Sequence, residues 1–261
     1  MSNYFTTGER LQFTDEGSGT PIILLYGLFG SERNFLALRN HLKQTHRVIV
    51  PIFPFFQNGI RADIFRFTEY LDDIVINLEL TKFHLAGNSM GGHIAILYTL
   101  RHPDVVESLI LSGSSGLYEH GLGDSYPKRS DYEYIKTKTQ QTFYDPQIAT
   151  CELIDEIYKT VNSRKALQIV SLAKSTIRNN VEHELHNIKC PCCLVWGKND
   201  TITPPDVAYN FLKSLPDAKL YWIDKCGHVP MLERPDDFNS IMDSFLEGVN
   251  ENKMKKESIG A

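Results

Sequence analysis

Phe83-His84-Leu85-Ala86-Gly87-Asn88-Ser89-Met90-Gly91-Gly92 carries a strand, a tight turn and the start of a helix in one short span. The first four residues read as a buried strand, and the apolar run from His93 to Leu100 continues as a helix. Between them, glycines stand two residues on either side of Ser89, the G-x-S-x-G spacing of a nucleophile elbow. A serine forced onto a sharp strand-to-helix turn holds its hydroxyl clear of the backbone, and only glycines let the neighbouring chain pack so closely. The helix that follows adds its N-terminal dipole and amide groups, which stabilise negative charge developing beside the serine.

A serine nucleophile in this setting needs an acid and then a histidine further along the chain. Both are present. The strand-like Cys192-Cys193-Leu194-Val195-Trp196 leads to Gly197-Lys198-Asn199-Asp200, an acid just past a strand end. The strand Leu220-Tyr221-Trp222-Ile223 leads to Cys226-Gly227-His228 in a loop. The interval from Asp200 to His228 fits one helix and one strand, as a βαβ unit requires. Asn199-Asp200-Thr201 is also ordinary turn chemistry, and Glu119, after the preceding strand, reads as a solvated residue rather than the acid.

Around these points the chain alternates. Strands are expected at Leu11–Phe13, Ile22–Tyr26, Val48–Ile52, Phe83–Ala86, Ser108–Ser112, Cys193–Trp196 and Leu220–Ile223. Helical patterns separate most of them, as from Thr68 to Leu80, where Tyr70, Leu71, Ile74, Val75 and Leu78 share a face. Near-continuous Ile, Leu and Val strands between helices predict a mostly parallel sheet buried on both faces, an α/β fold. The polar, Tyr-rich stretch from Gly113 to His186 breaks the rhythm, with helices expected over Cys151–Tyr158 and Ser163–Ile177. It reads as an inserted helical cap over the serine. The domain reading is therefore a core of residues 1–113 and 187–249, a cap of 114–186, and a charged, flexible tail of 250–261.

From Leu11 to Leu246 the chain resembles the α/β-hydrolase fold family. The landmarks are Leu24-Leu25-Tyr26-Gly27-Leu28-Phe29-Gly30, the elbow, His102-Pro103-Asp104 before Leu109-Ile110-Leu111, Gly197-Lys198-Asn199-Asp200 and Gly227-His228-Val229-Pro230. The resemblance implies Ser89 as nucleophile, His228 as general base, Asp200 as the orienting acid, and an oxyanion hole from the amides of Met90 and Leu28, with Phe29 as the alternative to Leu28. Within the fold, Gly-Asn-Ser-Met-Gly-Gly looks like the hydrolases that cleave the carbon–carbon bond of 2-hydroxy-6-oxo-dienoates. That likeness implies Asn88 and Phe29 in the substrate pocket, Arg164 on the cap for an acidic end, and Val229 beside the histidine, where those enzymes usually carry Trp. The chain also departs from them at Tyr26-Gly27 and at Pro51-Ile52-Phe53-Pro54-Phe55-Phe56, whose aromatics read as core at two of three positions.

Composition agrees with one enzyme-sized unit. A chain of 261 residues that is 42% hydrophobic buries a large core. The net charge of −5 comes from interspersed acids and bases, so no basic stripe points to nucleic acid. The first residues lack the pattern of a signal peptide, and no apolar run reaches the roughly 18 residues of a membrane span. Five cysteines, an odd number, fit reduced thiols in the cytoplasm, and Cys190-Pro191-Cys192-Cys193 leads into a buried strand with no second cluster to complete four metal ligands. His84 and His93 read as packing residues; His41, His46, His102, His120, His183 and His186 read as surface. No metal or nucleotide cofactor is expected. The function read from the sequence is a serine hydrolase acting on a small-molecule carbonyl substrate, either an ester or a dienoate carbon–carbon bond. The other class is a small-molecule binding protein that keeps the fold without turnover.

Overall fold

The Ile, Leu and Val runs become the middle of an eight-stranded sheet in the computed structural model, which describes residues 2–6, 9–55, 62–118 and 128–260. Strands β1 (Ser2–Thr6), β2 (Glu9–Gly17), β3 (Thr20–Leu25), β4 (His46–Pro51), β5 (Phe83–Asn88), β6 (Val106–Ser112), β7 (Cys192–Gly197) and β8 (Ala218–Ile223) lie in the order β1-β2-β4-β3-β5-β6-β7-β8. The β1–β2 and β2–β4 pairs are antiparallel, and every pair from β4 to β8 is parallel. Every residue of β5 and β7 is buried, as central strands covered on both faces must be. The seven expected strands are all present. The unexpected one is β1, a short polar edge strand with no apolar alternation to announce it.

The helices are α1 (Leu36–Leu42), α2 (Ile64–Asn77), α3 (Met90–Arg101), α4 (Tyr132–Gln140), α5 (Cys151–Val161), α6 (Ala166–Arg178), α7 (Pro205–Ser214), α8 (Pro230–Glu233) and α9 (Pro235–Gly260). Helix α2 buries Tyr70, Leu71, Ile74 and Val75, the expected face. It begins earlier than the apolar pattern indicated because Asp63 caps it, its carboxylate accepting from the Phe65 amide. Helix α9 continues to Gly260 where a flexible tail was expected from residue 250, and Lys253 on it pairs with Glu107 of β6 at 2.6 Å. That pair ties the charged segment back to the sheet, a contact its charge pattern does not show.

Helices α4, α5 and α6 all fall between β6 and β7, in the stretch expected to form a cap; residues 119–127 of it, with Glu119 and His120, lie outside the described residues. Polar α4 has few apolar positions, so the sequence pattern missed it; Ile135 is buried there. Ile135, Val161 and Ile169 make a small apolar cluster separate from the main core, and Leu28 and Phe29 of the loop after β3 pack against it. The insert is also tied to the helices beneath: the Ser175 hydroxyl accepts from the Ile64 amide at 3.1 Å, and Ser171 donates to the Ala62 carbonyl at 2.9 Å.

His84 and His93 are fully buried, as packing residues should be. His84 Nδ1 lies 2.9 Å from Ser108 Oγ, and His93 Nε2 lies 2.9 Å from the carbonyl of Asn179, just past α6. Burial pushes both pKa values down to about 4. Of the histidines read as surface, His41, His183 and His186 are exposed, while His46 and His102 are half-buried. Because the folded values of His84 and His93 lie below the unfolded 6.5, the unfolded chain binds more protons between pH 6.5 and 4, and stability falls with pH there. Each histidine contributes up to about 1.4 kcal/mol per pH unit inside that window. Urea midpoints measured from pH 7 down to pH 5, before most carboxylates titrate, are expected to fall steadily; a flat profile would contradict the buried neutral state of both rings.

Candidate active site

Ser89 stands where β5 passes into α3, with φ 55° and ψ −125°. Positive φ in a residue with a Cβ costs on the order of 1–3 kcal/mol and persists only where the surroundings enforce it. Here the enforcement is visible. The Ser89 amide donates to the Ser112 carbonyl at 3.1 Å, and the Ser89 carbonyl accepts from Gly92, His93 and Ser115 amides at 2.9, 3.2 and 3.1 Å. The flanking glycines close the turn on itself: a Cβ on Gly91 would lie 2.2 Å from the Leu25 carbonyl oxygen, and one on Gly87 2.4 Å from that of Gly91. The loop after β3 comes up alongside, with Gly27 so near that an added Cβ would lie 2.9 Å from Ser89 Cβ. Leu28 therefore follows directly beside the serine on one side, and Met90 opens α3 on the other.

Asp200 follows β7 and is 2% exposed; His228 follows β8 and is 5% exposed. Asp200 Oδ2 lies 2.9 Å from His228 Nδ1. The carboxylate also accepts from the Ile202 amide at 2.8 Å, the Thr203 amide at 3.0 Å and the Thr203 hydroxyl at 2.8 Å, so its orientation is set from several directions. A carboxylate at Nδ1 places the ring proton there and leaves Nε2 as the basic nitrogen. The backbone of His228 is pinned too: its amide donates to the Thr142 carbonyl at 2.9 Å, and its carbonyl accepts from Asn88 Nδ2 at 3.0 Å. Sequence reasoning missed Thr203, although an Asx-type turn two and three residues after Asp200 was readable from Asp-Thr-Ile-Thr.

Asn88, expected in the substrate pocket, is 3% exposed, and its amide nitrogen bonds inward to the carbonyls of Ser112 (2.9 Å) and His228. As the last residue of β5 it lies between the end of β6 and the histidine loop. Val229 is buried in the main core. Arg164 is exposed and does not line the cavity beside the loop after β3. That cavity, ≈ 270 Å³, is lined by Leu28, Phe29, Phe53, Phe55 and Ile157 on one side and by the polar Glu156, Thr160 and Lys165 of the insert on the other. Phe53 and Phe55 are thus both core and cavity wall, stacked at 5.2 Å; Phe56 lies outside the described residues. Among the described residues no cluster of His, Cys, Asp or Glu is arranged to hold a metal ion, and no helix is long and apolar enough to cross a membrane. The five cysteines are free thiols, four of them buried.

A family model described as "Alpha/beta hydrolase family" matches residues 22–241. Lipase 1 of Psychrobacter immobilis is 25% identical over 88% of this chain and 78% of its own length. A 2-hydroxy-6-oxononadienedioate/2-hydroxy-6-oxononatrienedioate hydrolase of Paraburkholderia phymatum is 26% identical over 91% of each chain. Among solved structures, an alpha/beta hydrolase enzyme from the metagenome of Mar Chica lagoon sediments superposes with a TM-score of 0.78 at 33% identity, covering 96% of this chain and 100% of the other.

The elbow geometry gives a direct expectation. Gly91→Ala forces Cβ into the Leu25 carbonyl and should destabilise the fold by about 3 kcal/mol or more, beyond the usual overpacking range. A thermal melt checks this; a variant melting with wild type would mean that the turn is looser than described.

Proposed function

The chain belongs to the alpha/beta hydrolase family, and from that membership we propose a serine hydrolase in which Ser89, His228 and Asp200 act together. The observation that carries the proposal is the serine held at positive φ on the strand-to-helix turn, the conformation that presents a hydroxyl for attack. The His228–Asp200 pair supports it. His228 takes the Ser89 proton as the hydroxyl attacks a carbonyl carbon, and Asp200 stabilises the resulting imidazolium. The amides of Met90 and Leu28 receive the oxyanion, one such donor being typically worth about 3 kcal/mol. His228 then protonates the leaving group, and water repeats the cycle on the acyl-enzyme to release the acid.

The insert, residues 114–186, acts as the cap, and the ≈ 270 Å³ cavity it shares with the core holds the substrate's apolar part. For comparison, a cavity of about 150 Å³ takes one benzene ring, so the space suits a single ring or a medium chain rather than a long lipid tail. The second reading, cleavage of a dienoate carbon–carbon bond, is supported by Gly87-Asn88-Ser89-Met90-Gly91-Gly92 and by the likeness to the Paraburkholderia enzyme. On that reading the cation for the substrate's carboxylate is Lys165 rather than Arg164, because Lys165 lines the cavity. Free thiols favour the cytoplasm.

Ser89→Ala should lower kcat on p-nitrophenyl butyrate by about 10⁴-fold or more, and Asp200→Asn by a large but smaller factor. Wild-type rates in Ser89→Ala would refute the mechanism, and no turnover of esters or dienoates by the wild-type protein would favour the binding-protein class. Lys165→Ala is expected to impair an acidic dienoate while sparing the neutral ester; equal effects on both would remove Lys165 from carboxylate recognition.

A further inference from the structure

Glu233 is a buried carboxylate that the mechanism above does not use. It ends the four-residue helix α8, which starts two residues after His228, and it is 7% exposed, with the buried Cys226 thiol hydrogen-bonded to its carboxylate. One of its oxygens, Oε1, accepts from the Gly227 amide, immediately before His228. The other, Oε2, accepts from the amides of Tyr144 and Asp145 in the insert, at 2.6 and 3.2 Å. Its charge is thus met by three backbone donors from two segments far apart in the chain. The same two regions join once more, through His228 amide to Thr142 carbonyl at 2.9 Å, and the loop of Asp200 reaches the insert as well, Thr201 hydroxyl donating to Gln141 carbonyl at 3.0 Å. They meet without slack, since a Cβ on Gly227 would lie 2.5 Å from the Thr142 carbonyl oxygen.

From this geometry we propose that Glu233 is a positioning residue for His228, a carboxylate latch that joins the loop of the general base to the inserted segment. The proposal rests on His228 being that base. Burying a carboxylate is unfavourable unless donors satisfy it, so an apolar side chain would serve if shape alone mattered here. Both oxygens are occupied by N–H donors, and a glutamine would turn its own NH₂ toward one of them. The latch completes a set of anchors around one imidazole: Asp200 at Nδ1, Thr142 at its amide, Asn88 at its carbonyl and Glu233 at the preceding residue. Movement of residues 141–145 is then transmitted to the base itself, which couples the insert to the chemistry as well as to substrate fit.

Glu233→Gln, Glu233→Asp and Ser89→Ala, assayed side by side on p-nitrophenyl acetate well below each variant's melting temperature, test this. A displaced base lowers kcat for even the smallest ester, so Glu233→Gln should lose about 10-fold or more in kcat with KM changed less than about two-fold. Glu233→Asp, which keeps a shorter carboxylate, should recover part of it. The wild type should show a downfield proton resonance from the His228–Asp200 hydrogen bond, and it should shift or broaden in Glu233→Gln. A folded Glu233→Gln with wild-type kcat and an unchanged resonance would overturn the latch, while an inactive Ser89→Ala beside it would leave the serine mechanism standing. Turnover surviving in Ser89→Ala would instead remove that mechanism, and the resonance alone would then decide whether Glu233 positions the ring. If Glu233→Gln does not fold, Glu233→Asp carries both measurements: a kcat and resonance equal to wild type would overturn the latch, and a partial loss in both would support it.

Discussion

The backbone of Ser89 is the point on which the molecule turns. Its carbonyl takes three amide hydrogen bonds and its own amide a fourth, from residues of α3, the end of β6 and the turn beyond. That clamp holds a conformation a serine avoids when free. The cost is local and the support is spread over the sheet, because β5, β6 and the loop after β3 must all end at the same level for the clamp to close. Gly87 and Gly91 exist at those positions because backbone, not side chain, fills the space around the turn.

The histidine side is built differently. His228 itself sits at no positive φ, although Lys225 three residues before it does (φ 49°), and the ring and its loop are restrained by polar contacts from four directions, one of them from the insert. The same insert sends Ile157 and Lys165 to the cavity and packs its small apolar cluster on Leu28 and Phe29. Substrate space, the proposed oxyanion loop and the proposed base therefore share one neighbour.

Much of this was legible in the sequence because its signals are short-range. Strands of Ile, Leu and Val, a glycine-flanked serine and an acid and histidine past strand ends need only local pattern, and each of those elements is present where expected. The same local rules failed where tertiary contacts decide. Polar α4 folds because a few residues reach a shared cluster, and α9 runs through its charged end with Lys253 tied to Glu107. Asn88 offered no hint in its spacing that its amide nitrogen would bridge two carbonyls. Lys165 and Arg164 are adjacent and chemically alike, so only the turn between α5 and α6 decides which of them reaches the cavity. Glu233, between Pro230 and Pro235 in the sequence, looks like any surface acid until the insert is seen folded over it.

The central claim is that one strained serine is the reacting group. A fluorophosphonate ester reacts with a serine hydroxyl activated in this way, so intact-mass measurement followed by peptide mapping tests the claim most directly. The account predicts a single adduct, on the peptide containing Ser89, and none after His228→Ala. An adduct on another residue, or ester turnover by a protein that resists labelling, would contradict it.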